Sequence, residues 1–319
     1  MKKEYIILIA LIIGLGAYLG LKKGDRIHYE LPVPPAVDIE QIDRIELTKA
    51  QRTITLNKSE TGWTLTDQKF PADQTAVDNI LDIVKELKLS ALVSEAGDLI
   101  RYELDPPNAV TLSAFAGEDE KRVFTIGKTA PSFNHTYVML DGDKRIYQAD
   151  KSFRNHFDAS VQDLRDKLIF EVKADTIKKI TLAKDGKSAV FIKSPPDADK
   201  KTDDAKASDW QSAEGSSIDK AALDNLLSSL SHLECSEFLT DPAAEALIKD
   251  APSCKITLEN GQILNLDLFQ QNGKADMVGT TSYTPYIFSL AAYKVDDILS
   301  YVDKLLGIEK IEETGSKVK

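Results

Sequence analysis

Only two cysteines, Cys235 and Cys254, occur in the 319 residues. A disulfide-framework scaffold is thereby excluded, because such domains are short and cysteine-dense. The four histidines, His28, His135, His156 and His232, are scattered. None stands at metal-ligand spacing from another histidine, a cysteine or an aspartate, so no metal site and no cofactor are expected. Neither G-x-S-x-G nor H-E-x-x-H is present, which removes the serine-hydrolase elbow and the zinc-peptidase helix. Positive charge is in short supply as well: 40 Lys and Arg face 51 Asp and Glu, a net charge of −11. Nucleic acid is excluded as a partner, because neutralising phosphates needs clustered Lys and Arg. What is present, 42% hydrophobic and 29% charged residues, belongs to a folded globular chain long enough for two domains.

Long apolar runs are also scarce, and the single one lies at the start. Tyr5 to Leu21 carry no charge, with Lys2 and Lys3 before them and Lys22 and Lys23 after. As a helix this run would span about 26 Å, the short end of a membrane crossing once the lysines snorkel. No small-x-small cleavage site precedes a polar stretch, so an uncleaved anchor over residues 1–23 is expected rather than a signal peptide. A short N-terminal flank before a long domain implies the N-terminus inside and the soluble domains extracytoplasmic. Gly16 and Gly20 lie one helical turn apart and would form a helix-packing face of this anchor. Residues 24–37, with Pro32, Pro34 and Pro35, read as an extended stalk.

Beyond the stalk the chain repeats itself. "DQTAVDNILDIVKEL" (73–87) aligns without a gap on "DKAALDNLLSSLSHL" (219–233). Val77, Ile80, Leu81, Val84 and Leu87 correspond to Leu223, Leu226, Leu227, Leu230 and Leu233, one face of an amphipathic helix. Asp73 and Asp219 stand where an N-cap belongs, and helices over 73–89 and 219–235 are expected. "IDRIEL" (42–47) matches "IKKITL" (177–182), and Trp63 matches Trp210, which favours a core role for both tryptophans. The second copy is longer, and its extra residues fall in or near "SPPDADKKTDDAKASD" (194–209), too polar to bury a core and read as a mobile loop. Strand runs around one helix, closed by helices near 150–157 and 292–306, indicate an α+β fold with largely antiparallel sheets. The expected chain is a transmembrane helix followed by two tandem, homologous domains, 38–160 and 171–306, joined by a junction at 161–170 and ending in a disordered tail over 307–319.

"FTIGKTAPS" (124–132) contains a Gly-Lys-Thr resembling the end of a phosphate-binding loop. The first glycine of that motif would fall on Arg122, and Pro131 stands where the phosphate-binding helix would begin, so no nucleotide is expected. Gly127 reads instead as the end of a strand. The cysteines flank a helix end and the next strand; they would either close a loop of about 20 residues, worth about 3 kcal/mol, or remain two buried thiols. Arg165 and Asp166 read as ties within the junction.

"GWTL" (62–65), "RYELDPPNAVTL" (101–112), "FTIGK" (124–128), "TYVML…RIYQA" and "LRDKLIF" (164–170) together resemble a bacterial family catalogued as a domain of unknown function. That family is membrane-anchored and duplicated, and its members are often encoded beside gliding-motility-type (GldG-like) ABC transporter subunits. Glu103 stands where the family pattern has glycine. The resemblance implies a non-catalytic, extracytoplasmic accessory or scaffold subunit of an ABC-type transporter complex, at the bacterial cytoplasmic membrane. An envelope ligand- or glycan-binding module using Phe133, Tyr283 and Tyr286 is the alternative, and a cell-envelope hydrolase the less favoured one. No catalytic residue can be carried over.

Overall fold

The computed structural model describes residues 12–14, 30–65, 70–95, 97–194, 210–270 and 276–308. It divides into two units, Met1–Thr61 with Thr75–Asp158, and Gly62–Gln74 with Ala159–Lys319. Gly16, Gly20, His28 and the segments 195–209 and 309–319 lie outside the described residues.

In the first unit β1 (Arg44–Lys49) and β2 (Arg52–Ser59) form a two-residue hairpin, with Lys49 opposite Arg52. The chain then makes β3 (Gly62–Leu65) and β4 (Phe70–Pro71), a short antiparallel hairpin that groups with the second unit. Helix α1 (Gln74–Lys85) follows, burying Val77, Ile80, Leu81, Ile83 and Val84. Next come β5 (Leu89–Ser94), β6 (Val110–Ala116), β7 (Asp119–Thr129), β8 (Thr136–Leu140), β9 (Ile146–Ala149) and the one-turn helix α2 (Arg154–Phe157). Side by side, the unit's strands run β2-β1-β6-β7-β8-β9-β5, with antiparallel pairing. Inward residues alternate along them, as a sheet with one covered face requires: Ile45 and Leu47, Leu112 and Ala114, Phe124 and Ile126 are buried. Phe124, Phe153 and Phe157 meet edge-on, with centroids 5.7 to 6.4 Å apart.

Part of the stretch read as a free stalk is fastened down. Val37 donates its N–H to the carbonyl of Lys85 at 3.2 Å. The buried Arg122 donates from Nε to Val84 O at 3.2 Å and from Nη2 to Pro35 O. One guanidinium thus joins the proline strap to the last turn of α1, whose carbonyls have no partner within the helix.

The second unit holds β3 and β4, then α3 (Val161–Leu164), β10 (Leu168–Glu171), β11 (Lys179–Lys184), β12 (Lys187–Lys193) and β13 (Trp210–Ser212). Helix α4 (Lys220–Ser231), β14 (His232–Glu234), β15 (Glu237–Leu239) and α5 (Pro242–Leu247) lead to β16 (Cys254–Glu259), β17 (Ile263–Gln270), β18 (Met277–Thr281), β19 (Ile287–Leu290) and α6 (Ala292–Leu306). The large sheet runs β13-β12-β11-β16-β17-β18-β19-β15, and β10 pairs with β14 in a small separate sheet. Asp219 caps α4 by accepting the N–H of Ala222 at 3.0 Å. Helices α4 and α6 pack together over a core that includes Ile180, Leu226, Phe288 and Val302.

Two expectations are corrected here. The described residues form three mostly antiparallel sheets with few helices, in place of the α+β chain led by a transmembrane helix that the sequence suggests; of the expected anchor over 1–23 only residues 12–14 are described. Among the described residues no helix is long and apolar enough to cross a membrane; the longest, α6, has 15 residues and alternates buried with charged positions. The helices expected over 73–89 and 219–235 stop at Lys85 and Ser231, because the segments that follow are drawn into the sheets as β5 and β14.

Candidate functional site

Strand β7 carries the Gly-Lys-Thr and runs on into the tip of the β7–β8 hairpin. Gly127 lies inside the strand rather than at its end. It is glycine because a Cβ there would sit 2.3 Å from the carbonyl oxygen of Tyr102 and 2.9 Å from Cγ of Leu104. The segment pressing on it turns at Glu103, whose φ of 55° is left-handed, a conformation that favours glycine. Arg154, buried, locks the same region from the other side. Its Nη1 donates to Ile126 O at 2.8 Å and Gly127 O at 3.0 Å, and its Nη2 to Asn108 O at 2.7 Å. The hydroxyl of Thr136 accepts the N–H of Phe153 at 2.9 Å. Both strands entering the tip are therefore fixed by buried hydrogen bonds. Nothing in this arrangement presents backbone N–H groups to a phosphate.

The tip itself closes by Ala130 N–H to His135 O and Phe133 N–H to Ala130 O, each 2.8 Å. The Ser132 hydroxyl and His135 Nδ1 share a hydrogen bond of 3.1 Å. Phe133 adopts φ 60°, uncommon for a bulky residue, and the residue is 79% exposed. A strained, hydrogen-bonded turn thus holds a large apolar ring out in solvent. With its backbone already ordered by the turn, such a residue suits the anchor role in a protein contact.

Of the three aromatic residues singled out in the sequence, only Phe133 is so displayed. Tyr283 is 44% exposed. Tyr286 is drawn into a cluster around Arg165, which the sequence assigned only to the junction. Arg165 is 2% exposed, and its guanidinium carbon lies 3.6 Å from the ring centroid of Phe238, 3.8 Å from Phe70 and 4.2 Å from Tyr286. Burial lowers its pKa from the ordinary arginine value. Among the described residues Nε and Nη2 have no hydrogen-bond partner, and three ring faces stand in for oxygen acceptors. Antiparallel backbone bonds hold the segment: Asp73 N–H to Leu164 O at 2.8 Å and Asp166 N–H to Pro71 O at 2.9 Å. Sequence reading missed this cluster because its rings come from three distant segments; the sole local signal was a charge within "DLRDKLIF".

Cys235 and Cys254 are free thiols, both buried in the core of the second unit. Burial pushes their pKa values up to about 11 and about 12. Trp63 is buried and Trp210 half-buried. Among the described residues no group of three histidine, cysteine or acidic side chains is placed to hold a metal. Asp143 accepts hydrogen bonds from Arg145 and from the hydroxyl of Tyr147 at 2.7 Å. Arg145 holds the Asp143 carboxyl below its usual range, and burial raises Tyr147 to about 12, so this trio is a structural fastening.

No curated protein and no solved structure matches the chain. The family described as Domain of unknown function (DUF4340) matches residues 63–252, more than half of the sequence, including β3, the hairpin tip, Arg165 and α4. The chain belongs to the DUF4340 family.

Proposed function

We propose that this chain is a non-catalytic accessory or scaffold subunit that docks on a component of an ABC-type transporter, with Phe133 as the anchor. The displayed ring on its fixed turn is the observation that carries the reading. Holding a phenylalanine in left-handed backbone costs about 1 kcal/mol, and leaving its ring in water forgoes the gain of burial. Among the described residues, the buried polar side chains serve the fold: Arg122 and Arg154 bind carbonyls, Thr136 binds a backbone N–H, Asp303 binds Lys184 and Arg165 is enclosed by rings. The transporter as partner class rests on the family resemblance alone. Crosslinking in the native host followed by mass spectrometry tests both parts. A stoichiometric transporter subunit is expected, lost in Phe133→Ala while the melting temperature stays unchanged, since the ring packs on little. Retention of every crosslinked partner by Phe133→Ala would overturn the docking role.

A further inference from the structure

The end of the first unit's sheet that carries the Phe133 tip is also where a cleft opens. In the ladders Lys49 faces Val110 and Val110 faces Ile126, so the β1–β2 turn, the residues leading into β6 and the β7–β8 tip gather at one end. The cleft, of about 400 Å³, lies between that first turn and a pair of prolines, and is lined by Ala50, Gln51, Arg52, Pro106 and Pro107. Both walls are held. The proline turn is closed by the N–H groups of Asn108 and Ala109, which donate to Asp105 O at 3.0 and 2.9 Å, and the Asn108 carbonyl is gripped by the buried Arg154. On the other side the two-residue turn is set by Ala50, at a φ of 54° that residues with side chains rarely adopt.

Arg52 is the single charge on this lining, and the fold makes little use of it. It faces Lys49 across the hairpin, and like charges so opposed are destabilising. Lys49 is drawn off to Asp158, which also meets Arg154, and among the described residues no acid pairs with Arg52. Asp105, the acid beside the prolines, is turned inward: one carboxylate oxygen accepts from Asn108 Nδ2 at 2.9 Å and the other is buried. From this arrangement we propose that the cleft receives an acidic residue from an extended segment of a protein partner. Its carboxylate sits on the Arg52 guanidinium, and the apolar side chain next to it lies against the rings of Pro106 and Pro107. A single planar guanidinium matches one carboxylate through two parallel hydrogen bonds. Proline rings offer apolar surface and no N–H, so they add contact without competing for that carboxylate. The chain's net charge of −11 disfavours acidic segments elsewhere on its surface, which makes an unpaired arginine a selective address. The inference goes beyond the Phe133 reading and does not depend on it, since that ring inserts into a partner whereas the cleft receives from one.

Selection of short random peptides, displayed on phage, against the full chain tests it. The peptides retained should share an aspartate or glutamate beside an apolar residue. Made synthetically, they should bind with a Kd that rises about tenfold or more in Arg52→Gln, the loss of a hydrogen-bonded charge, and by less in Arg52→Lys. Changing the peptide's own acid to its amide should cost as much in the wild type and nothing further in Arg52→Gln, because the two groups act as a pair. The melting temperature of Arg52→Gln should match or exceed that of the wild type, since an opposition of like charges is relieved. Phe133→Ala should leave these affinities unchanged, because a short peptide has no pocket to take the ring; the docking ring and the cleft therefore fail separately. No retained peptide, retained peptides without an acid, or acidic peptides that bind Arg52→Gln as tightly as the wild type would each overturn the proposal.

Discussion

A methyl group at Gly127 would have to displace the Tyr102 carbonyl and the Leu104 side chain together, and backbone yields less readily than a side-chain tip. Gly127→Ala should therefore lower stability by about 2–3 kcal/mol in denaturant titration, as overpacking of a well-filled region does. The neighbouring Lys128→Ala should change stability by less than about 0.5 kcal/mol and leave ATP titration as featureless as in the wild type. Saturable ATP binding abolished by Lys128→Ala would reinstate the nucleotide reading. The glycine was legible in the sequence as something other than a phosphate loop, because Arg122 and Pro131 break that motif. Its actual reason was not, since the carbonyl it makes room for belongs to a separate turn. The two thiols make a pH prediction with a definite sign. Their folded pKa values, about 11 and about 12, stand above the ordinary 9. Between those values the unfolded chain has released protons that the folded chain retains, so stability is full below pH 9 and falls as pH rises towards 11 to 12. Replacing both by alanine should flatten that alkaline decline in urea titrations. An unchanged slope would mean the thiols ionise freely in the fold.

Arg165 sets two effects against each other within a single element. Three ring faces attract the guanidinium, at about 0.5–2 kcal/mol each, while two of its nitrogens are buried without acceptors among the described residues, a cost of about 1–3 kcal/mol each. The terms nearly cancel, so the charge itself adds little. Volume is another matter, because the side chain fills the space between Phe70, Phe238 and Tyr286. Arg165→Met, close in length and apolar, should leave stability within about 1 kcal/mol, as when buried ions give way to packed hydrophobes. Arg165→Ala should cost about 2–4 kcal/mol by opening a cavity. Equal losses in the two variants would show that the charge, not the volume, is what the rings hold. This element also marks the limit of reading from sequence. The apolar stripe of α1 and α4 is written at 3.6-residue spacing, and Val77, Ile80, Leu226 and Leu230 are all buried as it requires. The cluster around Arg165 has no such period. Likewise the stretch with Pro32, Pro34 and Pro35 looks like free chain until Arg122, far along in β7, binds the Pro35 carbonyl.

At the scale of the molecule, the two large sheets follow corresponding orders. β2-β1-β6-β7-β8-β9-β5 in the first unit matches β12-β11-β16-β17-β18-β19-β15 in the second, with α1 and α4 entering at the same step. The gapless match between 73–87 and 219–233 coincides with those two helices. Strand order was beyond sequence reading, because the return of β5 beside β9 is a non-local choice that alternation cannot encode. The copies differ most in the link before the short strand β3 or β13. Glu60 and Thr61 join β2 to β3, whereas residues 194–209 join β12 to β13. Lys193 stands directly opposite Trp210 in the ladder, so the two ends of the link lie side by side. A two-residue turn spans the same gap elsewhere in this unit: Lys184 faces Lys187 across Asp185 and Gly186, with φ of 52° and 76°. Replacing residues 194–209 by Asp-Gly should therefore preserve the β12–β13 hairpin. Shortening the link by about three halvings should raise stability by about 1–2 kcal/mol through the smaller closure entropy. A cooperative melt at higher temperature, with the Trp210 fluorescence spectrum retained, is the expected result. Loss of the cooperative transition would show that the added residues are part of the sheet's folding and not an ornament on one of its turns.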